Sequence, residues 1–123
     1  MYTHNKKAFQ IMKDYENKNH ISFDIVIKYR GDIISKNPMP LPLLEENTVY
    51  IPNDHDWGGV NDQIAIGTKE SMEIYCNCID NIPNLCYSGK SDYHPETLLL
   101  NHLKESKLNI SRFDFEYSLY RSK

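Results

Sequence analysis

Apolar positions along this chain change period several times, and each change marks an element. From Lys6 to Asn17 they recur at helical spacing, with Ala8, Met12 and Tyr15 on one stripe and Phe9 beside it. That spacing predicts an amphipathic helix, broken by Asn17-Lys18-Asn19-His20. Phe23 to Tyr29 then alternates as a strand does: Phe23, Ile25, Ile27 and Tyr29 face one way, Asp24, Val26 and Lys28 the other. The strand ends at Arg30-Gly31-Asp32, where Gly31 permits a sharp change of direction.

Pro38, Pro40 and Pro42 make Asn37–Pro42 an extended connection, since proline lacks a backbone donor and fixes φ. Thr48–Ile51 reads as a short strand stopped by Pro52, and Gln63–Ile66 as another, ended by Gly67-Thr68. Thr68 is a natural N-cap for a helix running to about Asp80, with Met72, Tyr75, Cys76 and Ile79 on its buried face. Asn81 to Asp92 reads as a polar loop. A third helix begins at His94-Pro95-Glu96, with proline at the first helical position, and runs through Leu99, His102 and Leu103 to about Ser106. Ser111 to Tyr120 alternates again and closes the chain as a strand, with Phe113, Phe115, Tyr117 and Leu119 on one side. Helices interleaved with strands predict an α/β (α+β) fold, a mixed β-sheet covered by about three helices.

Composition narrows the function. At 123 residues, with 40% hydrophobic and 25% charged positions, the chain is expected to fold as one domain, 1–123, with a real core. A net charge of −3 with scattered Lys and Arg argues against a nucleic-acid surface, which needs clustered cations. No apolar run approaches the roughly 20 residues of a membrane span, and Met1–Lys18 is too polar for a signal-peptide core. A cytoplasmic setting follows, the host cytoplasm for a viral chain. The three cysteines read as free thiols in a reducing compartment, Cys76 and Cys78 pointing to different faces of one helix.

The densest chemistry is the run Y-I-P-N-D-H-D-W-G-G-V-N-D-Q-I-A-I-G, Tyr50 to Gly67. Three aspartates, a histidine, the single tryptophan and a Gly-Gly pair lie between two apolar segments. Residue types of this kind suit a sugar or a metal-bound phosphate. Each also has a plain structural reading. Asp54, His55 and Asp56 fit a solvated turn, Asp62 a cap, Trp57 a packing anchor and His94 an N-cap beside Pro95.

Three segments in fixed order resemble the C-terminal half of GT-A-type glycosyltransferase-like proteins, of the kind found in bacterial surface-polysaccharide clusters and large DNA viruses. They are F-D-I-V-I-K-Y-R-G-D, the turn W-G-G-V-N-D-Q-I-A-I-G-T, and H-P-E-T-L-L-L-N-H-L followed by a strand ending L-Y-R. The resemblance implies metal-assisted transfer of a sugar from a nucleotide-sugar to a hydroxyl acceptor. It places Asp32, after Arg30, at the strand end that delivers a carboxylate to a divalent metal, Mn or Mg. The literal D-x-D is Asp54-His55-Asp56, and His94 would complete such a metal site. The W-G-G-V-N-D run is similar to the W-G-G-x-D-D turn of inverting galactosyltransferases. It implies that Trp57 packs on a sugar face, that Gly58 and Gly59 let the backbone approach, and that Asn61 hydrogen-bonds hydroxyls. Asp62 would then be the general base. The resemblance also implies that the chain lacks the N-terminal nucleotide-binding half, so that it is a truncated or split member. The alternative is a non-catalytic module that binds sugar or completes a partner, its exposed sheet edge favouring a homo-oligomer.

Overall fold

The computed structural model describes residues 2–30, 33–35, 38–41, 43–53, 60–87 and 95–119. Among these the chain forms an α/β fold, a four-stranded mixed sheet packed with four helices. Helix α1 (Tyr2–Asn19) leads into strand β1 (Ile25–Tyr29), the two-residue β2 (Ile33–Ile34), β3 (Thr48–Pro52) and β4 (Ile64–Thr68). Helices α2 (Lys69–Cys76), α3 (Cys78–Tyr87) and α4 (Pro95–Glu105) follow, then β5 (Asn109–Phe113) and the short β6 (Ser118–Leu119). The main sheet has the order β1-β4-β3-β5, antiparallel except for the parallel β3–β5 pair, and β2 pairs with β6 in a separate ribbon.

Register decides what each face buries. Residues opposite one another across a ladder share a face. Val26, Ala65, Gly67, Val49, Ile51 and Ile110 therefore lie together, and the helices cover them. Phe9, Met72, Tyr75, Leu85, Leu99 and Leu103 complete that core from the helical side. On the opposite face Tyr50, Ile64 and Ile66 are also buried, and the Tyr50 hydroxyl donates to Leu43 O at 2.9 Å and accepts from Glu45 N at 2.9 Å. Over β1 that face is open: Ile25, Ile27 and Tyr29 are 47%, 42% and 45% exposed. The most apolar row of the strand is thus the solvent-facing one.

Several expectations need correcting. The buried stripe of α1 is Phe9, Met12 and Glu16, while Tyr15 is exposed and stacks on Phe23 at 6.2 Å. One helix over 68–80 is in fact two. The backbone turns at Asn77 (φ −90°, ψ 15°), whose N–H still reaches Glu73 O and Ile74 O, and α3 starts at Cys78. That turn buries both Cys76 and Cys78 instead of sending them to different faces. The stretch expected as loop from Asn81 is helical to Tyr87, because Cys78, Ile82, Leu85 and Cys86 form an apolar stripe that outweighs the hydrogen bond lost at Pro83. The closing strand is interrupted. β5 pairs only with β3, which stops at Pro52 opposite Phe113, so past Phe113 the chain has no ladder to continue and joins β2 instead.

Candidate functional site

Sheet direction gathers the polar chemistry at one end. β4 runs against β1 and β3, and β5 runs with β3. The exits of β1, β3 and β5 and the entry to β4 therefore share one edge of the sheet. Arg30 follows β1, Asn53 follows β3, Asp114 follows β5, and Asn61-Asp62-Gln63 leads into β4. Ligands of open α/β sheets settle at such carboxyl ends, where helices and strands leave polar groups facing a common space.

The ties between these segments are specific. Asn53 N donates to Phe113 O at 3.0 Å and its side-chain amide to Asp114 Oδ1 at 2.6 Å. The Arg112 guanidinium donates to Pro52 O. Asn61 Nδ2 donates to the Tyr117 hydroxyl at 2.6 Å, Tyr117 donates to Gln63 Oε1 at 2.7 Å, and Gln63 N donates to Asn61 Oδ1 at 2.7 Å. This closed ring fixes the backbone on both sides of Asp62. Lys28, on the helix-covered side of β1, reaches across and donates to the carbonyl of Asp62.

Asp62 itself is 7% exposed. One step past the Tyr29–Ile64 pair the register sets Arg30 opposite Gln63, which places it at the same end. Asn61 is fully buried with its amide engaged by Tyr117 and Gln63, so its observed work is to hold the turn. Asp32, Asp54, Asp56, Trp57, Gly58, Gly59 and His94 lie outside the described residues. Among the described residues no group of three His, Cys, Asp or Glu side chains is placed to hold a metal ion.

Lys28, Gln63, Tyr117, Asn53 and Asp114 are contributors that sequence reasoning did not select. Lys28 carried a usable signal, as a cation on the strand face that otherwise bears Val26. Tyr117 carried none, because its contact depends on the chain leaving β5. The half-buried ammonium of Lys28 also acts on Cys76: burial pushes that thiol up to about 11, and the charge of Lys28 pulls the other way.

The family model for a domain of unknown function (DUF7796) matches residues 5–121. The chain belongs to this family. The match spans α1 through β6, so the sheet, its helices and the polar edge together make up the DUF7796 domain. No curated protein and no solved structure matches the chain. Among the described residues no helix is long and apolar enough to cross a membrane.

Proposed function

We propose that this DUF7796 domain is glycosyltransferase-like, and that it moves a sugar from a nucleotide-sugar to a hydroxyl acceptor at the polar edge of its sheet. The observation that carries the reading is Asp62. Asp62 is 7% exposed at this edge, and its backbone is held by Lys28 and by the Asn61–Gln63–Tyr117 ring. A carboxylate whose backbone is fixed in place beside the acceptor is suited to take a proton.

In this reading the acceptor oxygen forms a bond to the anomeric carbon of the donor. The bond from that carbon to the diphosphate oxygen breaks, and the nucleoside diphosphate leaves with the electron pair. The hydroxyl proton passes to Asp62, because a neutral sugar hydroxyl is a poor nucleophile until its proton is accepted. Arg30, at the same edge, supplies countercharge to the departing diphosphate. Trp57 with Gly58 and Gly59 would line the sugar. The divalent cation of the resemblance would belong to Asp32, Asp54, Asp56 and His94 and would neutralise diphosphate charge; the described residues alone do not hold one.

Trp57 is the only tryptophan, so its emission reports on this segment alone. Titration with a panel of nucleotide-sugars, each with and without Mn²⁺, should give a saturable change for one donor class. Flat emission for every donor in both conditions would remove the reading.

A second reading, a non-catalytic module that completes a partner, is favoured by a different observation. β1 is an edge strand whose apolar row is open to solvent.

A further inference from the structure

We propose that the domain forms a two-fold dimer in which β1 of one chain pairs antiparallel with β1 of a second copy, joining two four-stranded sheets into one of eight strands. The proposal does not depend on sugar transfer, and it gives the partner-completing reading a definite partner.

The first argument is the open edge. Nothing among the described residues pairs with the outer side of β1. A groove of about 360 Å³ runs there, between α1 and β1. Its lining takes Ile25 and Ile27 from one face of the strand and Val26 and Lys28 from the other. Side chains of both parities line one groove only when it follows the backbone edge. An unpaired edge of this kind is a template for another strand unless charge, proline or a covering element blunts it.

The second argument is area. The apolar row continues from the strand onto the neighbouring helix: Phe23 stacks on Tyr15, and Ile11 lies one helical turn before Tyr15. Ile11 and Tyr15 are 69% and 54% exposed, and Phe23, Ile25, Ile27 and Tyr29 between 36% and 47%. At about 200 Å² for a residue of this size, their exposed fractions amount to on the order of 600 Å² in one patch. A standard interface buries about 800 Å² per partner, and the part of this apolar surface beside the strand edge contributes to it together with the backbone ladder.

The third argument is self-complementarity. Ile27 is the midpoint of β1, and a two-fold axis through it sets Ile27 against Ile27 of the partner subunit. Ile25 then faces Tyr29 of the partner subunit on the same side of the sheet, so the apolar row is continuous across the seam. The axis is normal to the sheet and keeps both α1 helices on one face.

Size-exclusion with light scattering on the full chain tests this. The expected mass is twice 14.5 kDa at micromolar concentrations. Ile27→Lys places two ammonium groups opposite each other and should weaken the dimer by roughly 100-fold, because like charges facing across an interface repel. Ile34→Lys, a substitution of an equally exposed isoleucine on β2, should leave the dimer intact and controls for folding together with thermal melts. In a Cys86→Ser background, Ile27→Cys should crosslink to itself on mild oxidation and Ile25→Cys should not. A folded wild-type chain that stays monomeric overturns the proposal and leaves the edge to a strand from a different protein. A dimer indifferent to Ile27→Lys overturns it as well, since the contact then lies elsewhere.

Discussion

The carboxylate of Glu16, near the end of α1, accepts the backbone N–H of Phe23 at 2.7 Å, and its second oxygen stands 3.0 Å from the Lys69 ammonium. One side chain, 3% exposed, thereby ties the helix to the approach to β1 and to the first residue of α2. The Phe23 amide holds the Glu16 carboxyl below its ordinary value of 4.5; Lys69 adds to this, and burial opposes it without prevailing. A carboxyl depressed in the folded state adds stability above its unfolded value, and that part is lost as pH falls through the folded one. Glu16→Gln should therefore lower the thermal midpoint at pH 7 and flatten its decline below about pH 4.5. Melting curves across the acid range measure both, and parallel wild-type and variant profiles would contradict the assignment.

Gly67 stands where a side chain has no room. A Cβ placed there would lie 3.1 Å from Met72 Cγ, 3.3 Å from Met72 Sδ and 3.4 Å from Thr48 O. Met72 is fully buried and Thr48 O belongs to the neighbouring strand, so neither side of the gap yields freely. Gly67→Ala should destabilise the fold by about 1–3 kcal/mol, the usual cost of overpacking a close-packed core. A shift of the urea midpoint at unchanged slope is the expected signature.

The elements that local chemistry specifies were legible in the residues. Alternation located β1, Pro52 ended β3, Thr68 capped α2 through Ser71 N, and Pro95 opened α4. What depends on tertiary partners was hidden. Pro83, with Asn81 and Asn84 close by, reads as a breaker, yet α3 forms because Leu85 and Cys78 find a core to enter. The break after Phe113 is a property of β3, some 60 positions earlier in the chain. β1 shows its apolar row to solvent because register, not hydrophobicity, decides which parity meets the helices. For the site, Asp62 and Arg30 at one sheet end follow from two adjacent antiparallel strands. The ring of Asn61, Gln63 and Tyr117 follows from no spacing at all.

Cysteine chemistry gives a third test. Burial pushes the thiol of Cys76 up to about 11 and that of Cys78 up to about 12, whereas Cys86 is only half-buried. The thiolate is the reactive form, so at pH 8 the thiolate fraction of Cys76 is on the order of one in a thousand. A thiol-specific disulfide reagent should titrate one cysteine in the folded chain and three after denaturation. Rapid titration of two or more in the native state would mean that α2 or α3 opens readily.

The proposed mechanism stands or falls on Asp62. Replacing it by asparagine keeps the shape of the side chain and removes the proton acceptor, so donor binding and turnover should separate. Asp62→Asn should keep the Trp57 fluorescence response to the nucleotide-sugar and lose about 10²–10⁴-fold in turnover, the range general-base catalysis contributes. Lys28→Met probes the same carboxylate from behind, since it releases the carbonyl of Asp62 without touching its side chain. Its turnover should fall less than that of Asp62→Asn, because it loosens a position and leaves the base in place. If Asp62→Asn turned over at the wild-type rate, proton acceptance would have to be assigned to another carboxylate at this edge, with Asp114 the first to substitute.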